Sequence, residues 1–357
     1  MVLVLNSGSS SIKLSLFEKE TLVKHLVLEE ISDHEKELHK LLFKLDTANI
    51  KYIAHRVVHG GNEFVKPTRI TQENIQKLKQ LSHLAPLHNP ANIKGIEYFL
   101  KHYPELPQIA VFDTAFHSTL PQEAYLYAIP QKFEQEHHIR RYGFHGSSHA
   151  YLLKESAKLL QKEIKNTSLI TLHLGNGASV CAIQNGKSID TSMGMTPLEG
   201  LVMGSRSGDI DAGVVLYLQQ QLDLHVKEVD TLLNKQSGLK GLCGTNDLRE
   251  IINHKNKNTK LTLDIYIRRI IKYIGAYMTL VENLDAIIFS GGVGENSAYI
   301  REKVLQSLEK FGILTDFEKN NTNETIISQQ NSLIKIFVIK TNEELEILRS
   351  AKEVLHD

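Results

Sequence analysis

The chain opens with apolar, mostly β-branched or leucine residues at 2–5, breaks at a small polar run at 6–11, and resumes as alternating apolar and polar residues over 12–17. Alternation with period two marks a half-buried strand, so the opening reads as strand, tight turn, strand. Residues 34–46 carry a helical pattern, and 50–58 are strand-like and run into His59, Gly60 and Gly61. Thr71 begins an amphipathic helix, with Glu73 in its first turn and Ile75, Leu78 and Leu81 on one face. A short buried strand at 109–112 ends at Asp113. The opening module then recurs: a strand at 168–174, a turn at Gly175, Asn176 and Gly177, and a strand at 178–183 closed by Asn185 and Gly186, a hairpin signal. We read this as a weak internal repeat that supports two related domains. A long helical pattern over 261–284 leads to a strand at 286–289, a glycine turn from Ser290 to Gly294 and a helix from Ser297. Residues 253–260 and 315–333 read as exposed loops. A last strand at 334–339 precedes a helix from Thr341, where Thr341 and Glu344 fit a capping box. Strands alternating with helices predict an α/β protein.

Bulk properties narrow the class. A length of 357 residues predicts about two domains. Hydrophobic residues make up 41% and charged residues 23%, as in ordinary water-soluble domains. The formal net charge is zero, which sets aside a non-specific nucleic-acid binder, whose affinity needs a basic excess. The apolar start is too short for a signal-peptide core, and no apolar run approaches the ~20 residues of a membrane span. Cys181 and Cys243 are too few for a disulfide framework or a zinc site. These features predict a protein of the reducing cytoplasm.

The chemistry is concentrated in small-residue turns and isolated cations. Turns at 6–11, 175–177 and 291–294 leave strand ends, where glycine lets backbone N–H groups converge on a ligand such as phosphate. Lys13 stands beside the first. Neither a G-x-x-x-x-G-K-[ST] loop nor a G-x-G-x-x-G fingerprint is present, and the protein-kinase motifs are missing. Arg56 and Arg206 sit among small residues, and a planar guanidinium matches carboxylate and phosphate with paired hydrogen bonds; salt bridging at the surface is the plain alternative. Asp113 ends a buried strand, where ligands of α/β folds gather, or it caps a turn. His145 and His149 have the i, i+4 spacing of a zinc pair, but Gly146 and the missing glutamate of H-E-x-x-H weaken that reading. One histidine is expected to reach a ligand and the other to be structural. His88, flanked by Pro86 and Pro90, suits either packing or a site wall.

Taken together, NSGSSSIK from Asn6, HRVVHGG from His55, LAPLHNP from Leu84, FDTAFH from Phe112, YGFHGSSH from Tyr142, HLGNGASV from His173, DTSMGMTPLEGLVMGSRSGDID from Asp190, FSGGVGENS from Phe289 and TNEEL from Thr341 resemble the acetate kinase family, in order and across nearly the whole chain. The resemblance implies an α/β fold of two ribonuclease-H-like domains, shared with sugar kinases, actin and heat-shock chaperone ATPases, with the nucleotide in an interdomain cleft. The expected division is 1–116 plus 345–357, and 117–344. It implies reversible phosphoryl transfer from ATP to acetate, giving acetyl phosphate and ADP, with Mg²⁺ (or Mn²⁺ in its place), in a cytoplasmic homodimer with no nucleic-acid or membrane partner. By position, Arg56, Asp113, His145 and Arg206 match the catalytic groups. Arg56 also binds substrate beside Val58, Leu87, Phe144 and Pro197, the wall of a small apolar acyl pocket. Asn6 and Glu343 match the magnesium site. Lys13, His173, Leu174, Gly175, Asn176, Gly177, Asp247, Leu248, Arg249, Gly292, Val293, Gly294, Glu295 and Asn296 match the nucleotide contacts. The stretch 17–55 is shorter than in many relatives, Asn62 replaces a common glutamate, and the segment Cys243 to Asn246 varies; none of these is assigned to chemistry.

Phosphoryl transfer is mostly positioning and charge stabilisation, and a carboxylate acceptor is already ionised at neutral pH. Asp113 is therefore expected to orient magnesium or substrate more than to abstract a proton. Two rivals remain. Ser10 and Lys13 spell S-x-x-K, but they lie between strands and lack the partner motifs of serine acyl transferases. An ATP-driven binding switch without a small-molecule acceptor shares the fold. Within the kinase reading, acetate and propionate differ by one methylene, worth only about 1–3 kcal/mol in an apolar pocket.

Overall fold

The computed structural model describes residues 1–357 except Ser32, Asp46, Ala48, Lys255 and Asp357, and His356 by its backbone alone. The chain divides into two units. One comprises Met1–Ser118, Phe144–Tyr151 and Asn342–Asp357, the other Thr119–Gly143 and Leu152–Thr341. Residues 144–151, expected within the second domain, group with the first unit.

The first unit is built on a six-stranded sheet of β1 (Val2–Ser7), β2 (Ser11–Glu18), β3 (Thr21–Glu29), β4 (Tyr52–Val57), β5 (Thr68–Arg69) and β6 (Gln108–Phe112), in the order β3-β2-β1-β4-β6-β5. β1, β2 and β3 form an antiparallel meander, whereas β1, β4 and β6 run parallel. Both faces of the sheet's centre are covered, which is why β1 and β6 are nearly continuous in apolar residues. Leu3, Leu5, Ile12, Leu14 and Ile53 pack with Leu38, Leu41 and Leu42 of the helix His34–Phe43 and with Phe99 of the helix Asn89–His102. Val2, Val4, Ala54, Ile109 and Val111 pack on Ile347, Leu348 and Ala351 of the helix Glu343–His356. Alternation along β4 and β6 therefore sends positions 52, 54 and 56, and 109, 111 and 113, to the face of that last helix.

The second unit repeats the plan. Its sheet contains β7 (Leu169–Leu174), β8 (Ala178–Gln184), β9 (Lys187–Thr191), β10 (Ala286–Ser290) and β11 (Lys335–Val338), ordered β11-β10-β7-β8-β9. Again an antiparallel meander, β7-β8-β9, is extended by parallel strands, β10 and β11. The strand–turn–strand repeat in the sequence is the first hairpin of each sheet. Asn185 and Gly186, at φ 50° and 76°, form the turn between β8 and β9.

Several expectations are corrected. Residues 257–260 belong to the helix Lys257–Leu280, whose cap is Asn256. The polar stretch 315–333 contains the helix Phe317–Asn321 and buries Thr315, Asn320, Ile327 and Ser328. The glycine turn after β10 is itself a helix, Gly291–Asn296, followed at once by Ala298–Gln306. The last helix is capped one residue later than the Thr341 box predicts, since Asn342 Oδ1 accepts from Leu345 N at 3.0 Å. The helix predicted at 34–46 ends at Phe43, and Asp46 lies outside the described residues. β3 follows β2 without a clear apolar alternation, and most of its residues are exposed.

His55 lies in β4, fully buried against Phe99, with Nε2 at 2.8 Å from the Gln108 amide. Burial pulls its pKa down from 6.5 to about 3. Between those values the unfolded chain binds a proton that the folded chain refuses. The contribution of the neutral ring is complete above 6.5 and is lost as pH falls through this window, at up to about 1.4 kcal/mol per pH unit. Urea titrations across that range should show a steeper loss in the parent than in His55→Gln, and equal slopes would refute the assignment.

Candidate active site

In the first unit, parallel pairing of β4 with β6 brings Arg56 beside the end of β6, where Asp113 N donates to Val57 O at 2.9 Å. Arg56 Nε donates to Asp113 Oδ1 at 3.0 Å and Nη2 to Oδ2 at 2.7 Å, a bidentate pair with the carboxylate buried. Glu343, the first residue of the last helix, lies 3.8 Å from Arg56 Nη2. Burial alone would lower the Arg56 pKa; the charges of Asp113 and Glu343 reverse that and raise it, so the guanidinium is permanently charged. Asn6 and Lys13 face each other across the β1–β2 hairpin, and the partly exposed Lys13 ammonium has no ion pair among the described residues.

The loop after β4 is held by two residues not singled out from the sequence. Asn89 Oδ1 accepts from His59 N and its Nδ2 donates to His59 O; Asn92 Oδ1 accepts from Val58 N at 3.0 Å and its Nδ2 donates to Ser7 O at 2.7 Å. Spaced i, i+3 in the first turn of Asn89–His102, they tie the loop to the end of β1. Val58 and Phe144 are buried and Leu87 is exposed. His88 stands at the helix N-cap. His145 has φ 57° and is half-buried, whereas His149 is fully buried and edge-on to His117. The zinc reading gains nothing, since no group of three or more candidate metal ligands occurs among the described residues.

In the second unit, a cavity of about 750 Å³ is lined by Gly175, Asn176, Asp247, Leu248, Arg249, Gly292, Val293 and Asn296, together with Ile252 and Tyr266. Gly291 enters its helix at φ 75°, and a Cβ there would stand 2.7 Å from Leu174 O, so only glycine permits this crossing over the end of β7. The other matched positions do not line the cavity. Leu174 and Gly294 are buried, and Glu295 Oε1 accepts from Gly291 N and Thr341 N. His173 and Gly177 are half-buried on either side of the β7–β8 turn. Arg301, fully buried and unremarked in the sequence, directs its donors to Gly294 O, Glu295 O, Asn320 O and the side chains of Asn320 and Asn323. Burial lowers its pKa to about 10.

Arg206 also belongs to the second unit. Its Nη1 donates to Pro197 O at 3.2 Å, and no carboxylate pairs with it among the described residues. Burial lowers its pKa. A half-buried, uncompensated cation is a ready anion site.

The profile of the acetokinase family matches residues 23–349. The chain is 50% identical to the acetate kinase of Sulfurimonas denitrificans, with 99% of each chain covered. Among solved structures it is similar to Porphyromonas gingivalis acetate kinase (39% identity, TM-score 0.93) and to a propionate kinase from Francisella tularensis (41%, 0.92), each with 99% of both chains covered. The chain belongs to the acetokinase family, and its two-sheet α/β architecture is that of these relatives.

Asn92→Ala removes two buried hydrogen bonds and strands Val58 N and Ser7 O. It should cost on the order of 3 kcal/mol in urea denaturation; a loss within error of zero would show that the loop does not depend on this amide.

Proposed function

We propose that the chain catalyses reversible transfer of the terminal phosphoryl group of ATP to acetate, giving acetyl phosphate and ADP. The carrying observation is the 50% identity to an acetate kinase along 99% of both chains, and the charges described above fit it. Arg56 binds the carboxylate or the arriving phosphoryl group, and Val58, Leu87, Phe144 and Pro197 are the apolar residues proposed to meet the acyl group. Arg206 and His145 stabilise the transferring group. Lys13 contacts phosphate. The second-unit cavity takes the nucleotide, with Gly175, Asn176, Asp247, Leu248, Arg249, Gly292, Val293 and Asn296 around it.

Acetate is an anion at neutral pH, so no base is needed to activate it. Both Asp113 oxygens already receive Arg56 donors, which supports Asp113 as the brace that aims the guanidinium. Asn6 and Glu343 offer the hard oxygen donors that magnesium prefers, and their small number suits an ion that keeps several waters. When bound, that ion neutralises charge on the phosphates. Exclusion of water by the buried apolar residues favours transfer over hydrolysis.

We assign the chain to the cytoplasm as a homodimer. No helix among the described residues is long and apolar enough to cross a membrane. The helix Ala212–Gln220 buries none of its residues; Val214, Leu216 and Tyr217 on it are exposed, as are Ile210 before it and Leu222 and Val226 after it. A second copy of the chain is the occupant proposed for this face. Sedimentation should give a dimer for the parent and a monomer for Leu216→Glu/Tyr217→Glu; a monomeric parent would refute it.

Arg206→Ala should lower kcat by roughly 10³-fold, as loss of a transition-state arginine does in other phosphotransferases; a near-normal kcat removes the assignment. With formate, acetate, propionate and butyrate as acceptors, acetate should give the highest kcat/KM. A higher value for propionate would make the chain a propionate kinase. ADP release stimulated by a protein but not by acetate would replace the kinase reading with a binding switch.

A further inference from the structure

Arg206 is carried by a segment without regular structure, residues 192–211, between β9 and the helix Ala212–Gln220. Such a segment has no ladder to satisfy or orient it, so something else must. Here its first half is fixed by three side chains. Arg141 Nη1 donates to Thr191 O at 2.9 Å and to Met193 O at 3.1 Å, while Nη2 donates to Glu199 Oε1 at 2.6 Å. Glu199 Oε2 accepts from the Tyr127 hydroxyl at 2.5 Å, and that hydroxyl oxygen accepts from Met195 N at 2.9 Å. A Cβ on Gly194 would fall 1.8 Å from Glu199 Oε2, so the carboxylate is folded onto a position that only glycine leaves open. The far end is closed separately. Asp209 Oδ1 accepts from Gly200 N at 2.8 Å, and Arg269 Nη1 donates to Gly200 O at 2.8 Å.

Two residues before Glu199 lies Pro197, whose carbonyl receives Arg206 Nη1. The peptide that steers the unpaired guanidinium is thus anchored through Glu199. A partly buried ion pair is a weak source of stability, and an arrangement this fully connected is better suited to fixing direction. Burial first, and then the Glu199 carboxylate, push the Tyr127 phenol up, so it stays a donor across the neutral range.

We propose that Glu199, held by Arg141 and Tyr127, is a positioning residue for Arg206. It sets the direction of the guanidinium by fixing the Pro197 carbonyl, and none of the three touches substrate. The proposal rests on the reading of Arg206 as the group that stabilises the transferring phosphoryl.

The test is a double-mutant cycle on the full-length enzyme, with Mg-ATP and acetate. Misaiming one group in a phosphotransferase site costs up to about 10²-fold. Glu199→Gln should therefore lower kcat roughly 10–100-fold, with the KM for ATP nearly unchanged. Placed in the Arg206→Ala background, the same substitution should cost nothing more, because its effect passes through the missing side chain. Tyr127→Phe, which keeps the packing, should show a smaller loss and the same silence in that background; it carries the test if Glu199→Gln does not fold. A normal kcat for both single variants overturns the proposal. So does a loss that persists in full without Arg206. A normal kcat for Arg206→Ala alone is a different result, which removes the underlying role of Arg206 and the proposal with it.

Discussion

Burial of a guanidinium against a carboxylate at the ends of two parallel strands is the constraint on which the first unit's site depends. Desolvating Arg56 and Asp113 is costly, and only the bidentate geometry offsets it. That geometry requires β4 and β6 to be neighbours, in parallel, with the register that the structure shows. It also requires the last helix to start where it does, because Glu343 supplies the second negative charge near the same guanidinium. The sheet is thus more than a scaffold beneath the site. A shift of one residue would turn Arg56 or Asp113 to the opposite face.

The second unit handles its cations differently. Arg206 and Arg301 are both withdrawn from water, and the partners shown for each are backbone carbonyls or neutral groups. Arg301 spends its donors on the chain around it and holds the end of the glycine helix. Arg206 makes one hydrogen bond to an oxygen and keeps donors to spare. One sheet plan therefore carries an arginine that is neutralised in place, one that is structural, and one left wanting an anion.

Much of this was legible in the sequence because it rests on local rules. The alternation at 12–17, the Asn185–Gly186 turn and the Ile75, Leu78, Leu81 stripe each predict an element that formed. Candidate groups could be picked out because arginine or lysine among glycine and serine has no packing reason to be there. What stayed hidden depends on partners far along the chain. Asn89 and Asn92 carry no signal in the sequence, yet they hold the backbone of a loop some thirty residues earlier. Arg301 looks like a surface residue in a polar helix, because its acceptors arrive from 320 and 323. The short helix at 291–296 reads as a plain turn, since three glycines lower helix propensity; Glu295, bonded to Gly291 N, and Arg301, bonded to its last carbonyls, hold it.

The asparagine-rich stretch around 320 has a further significance. Polar, lysine-flanked and distant from the glycines in sequence, it resembles a segment free to vary. Yet Asn320 grips Arg301 by both its side chain and its carbonyl, and Arg301 in turn holds the last carbonyls of the glycine helix at 291–296. The tolerance of that stretch to change is therefore set by a single buried side chain, through a helix earlier in the chain.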